Sequence, residues 1–408
     1  MIILERKSNI LVIVLFLLIF LINISIEFKK YQELTNEEVY ETKVEVLNIY
    51  EKENYNILRL KAKDFDFFTN IDKFENIKKQ DILNILIISK NLSFLDYLKG
   101  FYAKSINFYK IEKITTLKDK IIKEINSSHN DEIIKELFQA LFLAVPISKE
   151  LRDICTNYGI SHLIALSGFH LGVLSFVIYW IFYYPYSFFH GKYFSYRNKK
   201  YDLLLISIFF LFCYLIITDI VPSLLRAFVM FVLAIFLLRS NIKIFSFMTL
   251  LITFLIVVSL FPKYLFSLGF WFSIIAVFYI FLFIQYFKDL NKYLQILIFN
   301  FWIFLIFNPI VHFYFPQTSY EQFLSPIITI FFTLFYPFEI FAHIFDFAIY
   351  FDGFIKSFLF HKMNVYEVFT PFYFFIVYLI VSLASIFYKK AFWSLNILMI
   401  IFNLYLYI

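Results

Sequence analysis

Charged residues are scarce in this sequence, and their scarcity excludes an ordinary soluble globular protein. Only 17% of the 408 residues are charged, 61% are hydrophobic, and the mean hydropathy is +0.74. This balance is typical of a polytopic α-helical membrane protein. The formal net charge of +6 lies mainly in short loops between apolar runs, where the positive-inside rule explains it without a nucleic-acid-binding surface.

Cysteine is also scarce, and the common signatures of catalysis are missing. Cys155 and Cys213 are the only two cysteines. They lie far apart and have no Cys-x-x-Cys spacing, which argues against a disulfide and a metal site. The sequence contains neither a G-x-x-x-x-G-K-[ST] phosphate loop nor a His-x-His-x-Asp-His cluster. We therefore expect no catalytic residue, no metal, no cofactor and no enzymatic activity, metal-dependent nuclease activity included.

The apolar runs predict the membrane topology. Residues 9–26 follow Arg6 and Lys7 and lack a small-residue cleavage site, so residues 1–26 are predicted to be an uncleaved anchor with a cytoplasmic N-terminus. Nine further spans are predicted at 160–184, 201–220, 223–238, 244–261, 264–287, 293–311, 323–341, 368–387 and 391–408. The basic loops 186–200, 239–243 and 288–292 then all fall on the cytoplasmic side. Segment 342–362 fits either a polar span or an interfacial helix.

Residues 27–130 are the only long stretch with the charge density of a soluble domain. Apolar and polar residues alternate there at 42–49, 56–63, 81–89 and 106–111, and Glu53 and Asn54 form a turn between the first two runs. This pattern predicts a small extracytoplasmic β domain. Residues 131–408 are predicted to form one membrane domain. It begins with an amphipathic interfacial helix at 132–154, which Pro146 breaks and Ser148 restarts as a cap.

The span 160–184 carries polar side chains at membrane depth. On one continuous helix, Ser167 and His170 lie one turn apart, and Gly168 and Gly172 have the spacing that lets a neighbouring helix approach closely. An imidazole at this depth is costly unless it faces a cavity or a partner. His162 and His170 therefore fit contacts to a polyanion, hydrogen bonds between helices or proton transfer. The structural alternative is a histidine bonded to a backbone carbonyl.

Arg226 is a second polar residue within an apolar run, one helical turn after Ser223 and just past Pro222. Its guanidinium matches the geometry of phosphate and stays charged at any working pH, which fits a phosphate contact in a pore. Two structural alternatives are open. The side chain can snorkel to the nearby interface, or it can form an ion pair with Asp219.

Three segments resemble one known family. Residues 162–172 read HLIALSGFHLG and resemble the HLLAISGLHVG signature of the ComEC/Rec2 family of DNA-uptake channel proteins. Residues 221–230, VPSLLRAFVM, resemble its P-S-x-x-R-A-x-x-M segment, and residues 264–277, YLFSLGFWFSIIAV, its S-x-G-F-Q-L-S-F-x-A-V segment, with Trp271 in place of Gln. The resemblance implies that the DNA path or the core of the channel contains His162, Ser167, Gly168, His170, Gly172, Ser223, Arg226, Gly269 and Ser273.

The same resemblance implies a function. The chain is expected to be a multi-pass channel of the cell inner membrane that passes single-stranded DNA into the cytoplasm during natural transformation, with an OB-like β domain outside. Its expected partners are single-stranded DNA, the lipid bilayer, a periplasmic DNA receptor and cytoplasmic DNA-processing proteins, and an oligomer is compatible with this function. Many family members also carry a metallo-β-lactamase-like domain, which contains a His-x-His-x-Asp-His cluster. This sequence lacks that cluster, so a short form without the domain is expected.

Two other functions remain open at this point. One is a polytopic membrane enzyme that uses His162 and His170 on a lipid-linked substrate. The other is a secondary transporter of small anions, which requires a closed pocket at the midplane of the membrane rather than a continuous path.

Overall fold

The computed structural model describes residues 6–73, 77–113, 115–193, 195–237 and 246–408, and only the backbone of residues 6–11. The loop 239–243, whose Arg239 and Lys243 were assigned to the cytoplasm, lies outside the described residues. So do the side chains of Arg6 and Lys7.

The N-terminal anchor is longer than its apolar run. Helix α1 is continuous over Arg6–Thr35, nine residues past the predicted end of the anchor. The last turns remain helical because Tyr31 and Leu34 pack into the core of the adjoining sheet, where Leu34 is 1% exposed. The anchor and the domain that follows it are therefore joined by a helix that belongs to both.

A six-stranded sheet follows α1. Its strands are β1 Val39–Glu51, β2 Tyr55–Lys61, β3 Asp66–Asp72, β4 Ile82–Ile88, β5 Phe101–Tyr102 and β6 Ser105–Ile111, with a short helix, α2 Phe94–Lys99, before β5. The strand order is β5-β3-β2-β1-β4-β6, and all pairs are antiparallel except β3 with β5. The four predicted strands are confirmed, whereas β3 and β5 were not predicted.

The two ends of this sheet meet. Ala103 donates its backbone N–H to the Phe68 carbonyl of β3 at 2.9 Å, and Ser105 donates to Thr69 Oγ1 at 3.2 Å. On the other side, the Ile88 N–H of β4 donates to the Lys104 carbonyl at 3.0 Å. Since residues 103–105 bond to both edges, the sheet closes into a small barrel around a core that includes Val46, Leu58, Leu60, Phe67 and Ile87.

Three amphipathic helices link the barrel to the apolar helices. They are α3 Leu117–Ser128, α4 Glu132–Leu143 and α5 Lys149–Asn157. The predicted break near Pro146 is confirmed, and Ser148 caps α5 by accepting the Leu151 N–H at 3.2 Å. Helix α3 was not predicted. Thr116 and Asp119 begin it with reciprocal side-chain caps.

The rest of the chain is a bundle of apolar helices. The helices are α6 Ser161–Ile164, α7 Gly168–Tyr193, α8 Lys199–Ile217, α9 Pro222–Leu237, α10 Phe247–Leu260, α11 Leu268–Phe287, α12 Lys292–Tyr314, α13 Ser325–Ile344, α14 Asp352–Leu359, α15 Phe372–Ala384 and α16 Lys389–Tyr407. Residues 317–318 and 366–367 form a two-stranded ladder, β7 with β8. Each predicted span contains one of these helices.

Seven helices in the described ranges, α1 among them, are long and apolar enough to cross a membrane. Helices α9, α10 and α15 are apolar but shorter. Segment 342–362 contains the end of α13, a 3₁₀ turn, Ala348–Phe351, and the eight-residue α14, so it does not form a span of its own. Helix α14 instead packs against α4 in one apolar core.

Two ionic contacts hold the barrel against the bundle. Asp219, which follows α8 with a φ of 58°, pairs with Lys61 of β2 at 3.5 Å and with Lys118 of α3 at 2.5 Å. Partial burial opposes ionisation of this carboxyl, but the two lysines outweigh it and lower the pKa of Asp219. Lys263, between α10 and α11, pairs with Glu27 of α1 at 2.7 Å.

Candidate functional site

The segment that carries the two histidines is a broken helix, so the prediction of one continuous helix over 160–184 is wrong. Helix α6 ends at Ile164, Ala165 is extended, and α7 begins at Gly168. The break is stable because Ser167 and His170 cap α7. The Ser167 N–H donates to His170 Nδ1 at 3.2 Å, and Ser167 Oγ accepts the Phe169 N–H at 3.3 Å. The Ser-Gly-x-His sequence is therefore a helix start.

His170 is buried, with 1% of its surface exposed. Since its Nδ1 accepts a backbone N–H, its proton lies on Nε2. Nε2 has no hydrogen-bond partner in the described part of the chain. It lies among aromatic rings, with the Tyr336 centroid 4.6 Å from the imidazole centroid. His162, by contrast, is exposed, and its ring nitrogens bond to the Gly159 carbonyl at 3.1 Å and to Thr329 Oγ1 at 3.2 Å.

The predicted close approach of a neighbouring helix occurs at only one of the two glycines. A Cβ on Gly168 would lie 3.5 Å from Ala227 Cβ and 3.6 Å from Arg226 Nη2, whereas a Cβ on Gly172 would meet nothing within 4 Å. Helix α9 therefore lies against the first residue of α7, with Arg226 beside Gly168 at an ordinary contact distance.

Arg226 is buried in the second turn of α9, with 5% of its surface exposed. Nε donates to Ser273 Oγ of α11 at 2.7 Å, and Nη1 lies 3.2 Å from Met230 Sδ. Among the described residues, no carboxylate pairs with it and no further group accepts its remaining N–H groups. The ion pair with Asp219 is wrong, because Asp219 bonds to Lys61 and Lys118 instead. Snorkelling is wrong too, because the guanidinium is buried.

The three sequence segments therefore meet at one place. Ser223 of α9 donates its Oγ hydrogen to the Leu166 carbonyl at 2.5 Å, which satisfies a backbone acceptor in the helix break. Ser273 of α11 holds the guanidinium of Arg226. Gly269, one turn before Ser273, is not part of the contact, since its Cβ would meet only Ser267 Oγ at 3.8 Å. Trp271 is 39% exposed and donates Nε1–H to the Leu265 carbonyl.

This junction is positively charged. It combines a guanidinium without a counter-charge and the N-terminus of α7, where the backbone N–H groups and the helix dipole favour negative charge. Over the ranges that the structure describes, no group of three or more His, Cys, Asp or Glu side chains could hold a metal ion.

Gly159, which lies just before the broken helix, has a φ of +67°, and a Cβ there would lie 3.4 Å from Ser325 Cβ. Gly159→Ala is expected to lower the free energy of unfolding by about 1–2 kcal/mol, because an L side chain is strained in this conformation. Gly172→Ala is the control. It has open space in a helix interior and should leave stability unchanged or raise it. Thermal unfolding of the purified variants in detergent measures both, and equal midpoints for the two would contradict the prediction.

Sequence reasoning missed one cluster of titratable side chains. His129, His343 and Asp352 lie in direct contact, although 223 positions separate the first from the last. His129 had been part of the predicted β domain, and Asp352 of the ambiguous segment. No spacing in the sequence links such distant positions.

Comparison with known proteins gives one match. A family model described as "Competence protein" matches residues 145–408. No curated protein and no solved structure matches the chain.

Proposed function

The chain belongs to the Competence protein family, and on that premise we propose that it is the inner-membrane channel through which single-stranded DNA enters the cytoplasm during natural transformation. A role in DNA uptake and a multi-pass membrane location follow from the family and from the seven long apolar helices. The channel itself, its inner-membrane location and its partners are the proposal. The partners would be the strand, a periplasmic receptor and cytoplasmic DNA-processing proteins.

The observation that carries this proposal is the buried guanidinium of Arg226 without a counter-charge. Burying a cation without a partner costs several kcal/mol or more, so such a group is expected to meet an anion when the protein works. A phosphodiester supplies that anion and matches the fork of the guanidinium. The N-terminus of α7 lies beside Arg226 and adds the positive end of its helix dipole to the same place, whereas the Ser167 and Phe169 N–H groups are already bonded within the cap.

The broken helix supports a path rather than a sealed bundle. Non-helical backbone at membrane depth is tolerated where it is packed in protein or lines a polar cavity. Residues 165–167 are such a break, and Ser223 satisfies one of its carbonyls. A polar break beside an unpaired arginine is the arrangement expected where a charged chain passes.

The barrel is proposed to be OB-like and extracytoplasmic. Its support is the strand order β3-β2-β1-β4-β6, closed by the parallel contact of β3 with β5, the short strand just before β6. This describes a five-stranded barrel in which the last strand is split in two. The proposal includes no role in catalysis, because no nucleotide site was found in the sequence and the channel would depend on energy from elsewhere.

The contacts of the two histidines favour a channel over a membrane enzyme. An enzyme using both imidazoles needs them in one cleft. His162 is exposed and bonded to Gly159 and Thr329, whereas His170 is buried and uses Nδ1 to cap α7. The helix break beside Arg226 also fits an anion site of a secondary transporter, and the family match is what favours the channel.

Deletion of the gene in a competent strain is the direct test. Transformation should be lost while DNA still accumulates in the periplasm, and a plasmid copy of the gene should restore it. Labelled duplex DNA, counted inside and outside the cytoplasmic membrane, separates these two steps. Unchanged transformation in the deletion strain would overturn the proposal.

Topology gives an independent prediction. Asn54, in the turn after β1, and Tyr196, 84% exposed after α7, should lie on opposite sides of the membrane, because α1 precedes the first and α7 separates it from the second. Single cysteines at these positions, in a background without Cys155 and Cys213, should label with an impermeant maleimide from opposite faces. Labelling of both positions from one face would mean that the number of crossings between them is not odd, so that the span count before residue 186 is wrong.

A further inference from the structure

A second cluster of titratable side chains lies outside the arginine junction. It joins the end of α3, the end of α13 and the start of α14. His129 Nδ1 lies 2.7 Å from Asp352 Oδ1, and His129 Nε2 lies 2.9 Å from His343 Nε2. His343 Nδ1 lies 2.7 Å from the backbone carbonyl of Glu339. The side chain of His129 is fully buried, whereas that of Asp352 is 15% exposed, with its Oδ2 buried and without a hydrogen-bond partner among the described residues.

Hydrogen-bond valence shows that this cluster holds an extra proton. The Glu339 carbonyl can only accept, so His343 Nδ1 must carry hydrogen. If Asp352 is ionised, His129 Nδ1 must carry hydrogen as well. Two neutral imidazoles would then bring two lone pairs together at the 2.9 Å contact, which is repulsive. One additional proton, either between the two Nε2 atoms or on Asp352 with His129 as the Nε2–H tautomer, satisfies every contact.

Glu339 is the group next to this chain. It is 0% exposed, and neither of its carboxyl oxygens has a hydrogen-bond partner among the described residues. Its Oε2 lies 3.8 Å from His343 Nδ1. A carboxylate buried without a donor is costly, and taking up a proton removes that cost.

We propose that Asp352, His129, His343 and Glu339 form a proton-transfer relay from the protein surface to a carboxyl group buried in α13. A local opening over Asp352 Oδ2 lets water protonate this carboxyl group, which passes a proton to His129 Nδ1. His129 releases its Nε2 proton to His343 Nε2. The Nδ1–H of His343 then turns from the Glu339 carbonyl toward Oε2, which closes the 3.8 Å gap, and is released to Oε2. One proton enters, one arrives, and each imidazole changes only its tautomer.

The surroundings insulate the relay and connect it to the arginine junction. The ring of Phe138 stacks on His129 at 4.7 Å, and Phe142 contacts both His343 and Tyr336. Tyr336 in turn packs against His170. Neighbouring elements bring further titratable or charged groups to the cluster. Asp131 and Lys356 pair with each other, and the other groups are Asp346 after α13, Tyr336 of α13 and Tyr214 of α8. The relay does not depend on the proposed DNA channel, and its test does not use transformation.

Infrared spectroscopy of the full chain in nanodiscs tests the relay. The C=O stretching band of a protonated carboxyl group lies at a different infrared frequency from the bands of ionised carboxylates. This band shifts when deuterium replaces the proton. The wild type should show such a band, and Glu339→Gln should remove it. Glu321→Gln is the matched control, since Glu321 also has a buried oxygen without a partner among the described residues, and it should leave the band unchanged.

The rate of deuterium exchange distinguishes a relay from an isolated acid. On transfer to D₂O, exchange at Glu339 should slow on the order of a hundredfold in His343→Gln and in His129→Gln, because positioned acid–base groups accelerate proton transfer by about that factor. Asp352→Asn, at the partly exposed end, should slow it as well and is the variant with the least risk to folding. The metal content of the purified wild type and of His343→Gln is measured in the same preparations.

Three results would overturn the inference. The band could persist in Glu339→Gln. Exchange could be as fast as in the wild type in all three relay variants. Finally, the purified wild type could retain a stoichiometric metal ion that His343→Gln loses, which would make the two imidazoles metal ligands instead.

Discussion

Arg226→Gln is expected to reduce transformation on the order of a hundredfold, with the protein still accumulating in the membrane. The loss follows from hydrogen bonds between a guanidinium and phosphate, each worth about 1.5–3 kcal/mol. Accumulation should persist because the change removes a buried charge that has no carboxylate partner in the described structure. Arg226→Lys should retain partial transformation, since it keeps a cation and loses the fork and the bond to Ser273. Immunoblots beside transformation counts provide the measurement.

The control for this series is Arg197→Gln. Arg197 forms two hydrogen bonds with Asp202, both at 2.8 Å, and is half-exposed, so its role is local and transformation should change only a few-fold. Asp219→Asn is not expected to rescue Arg226→Gln, because Asp219 pairs with Lys61 and Lys118. A mild Arg226→Gln phenotype at normal abundance would remove Arg226 from the site.

Lys263→Met is expected to destabilise the contact between the barrel and the bundle by about 2 kcal/mol, within the usual range for hydrogen bonds to charged groups. Lys263 Nζ lies 2.7 Å from Glu27 Oε2 and 3.3 Å from Tyr97 Oη, and it also bonds to the Asp64 carbonyl. Burial raises the pKa of Tyr97, and the negative charge of Glu27 raises it further. The phenol therefore stays neutral and donates its hydrogen to Glu27. Methionine leaves the Glu27 carboxylate, 16% exposed, with Lys30 as its remaining ionic partner beside the Tyr97 hydroxyl.

The double variant Lys263→Met/Glu27→Gln should recover part of this loss, because it removes the stranded charge. Lys90→Met serves as the matched control. Its partner Glu38 is 71% exposed, and exposed ion pairs contribute at most about 1 kcal/mol. Thermal unfolding and membrane abundance measure all three. If Lys263→Met and Lys90→Met lose the same small amount, the polar contacts of Lys263 do not hold the barrel in place.

Local patterns predicted most of the elements. Runs of apolar residues indicated every long helix of the bundle, and period-two alternation indicated β1, β2, β4 and β6. Strand β3 was missed because Phe67 and Phe68 are adjacent, which hides the alternation, although only Phe67 is buried. Helix α3 was missed because the preceding strands suggested a β domain up to residue 130, although Thr116 and Asp119 form a capping box.

The sequence by itself indicated a multi-pass membrane protein, a small β domain after the first helix, and three segments that resemble one family. These properties depend on hydropathy, alternation and short motifs, all of which neighbouring residues define. Only the tertiary structure decided that the Ser-Gly-x-His segment starts a helix, that Arg226 meets Ser273 and not Asp219, and that His129 meets His343. Each group in these contacts could bond to several partners along the chain, and the packing of the helices decides which partner it meets.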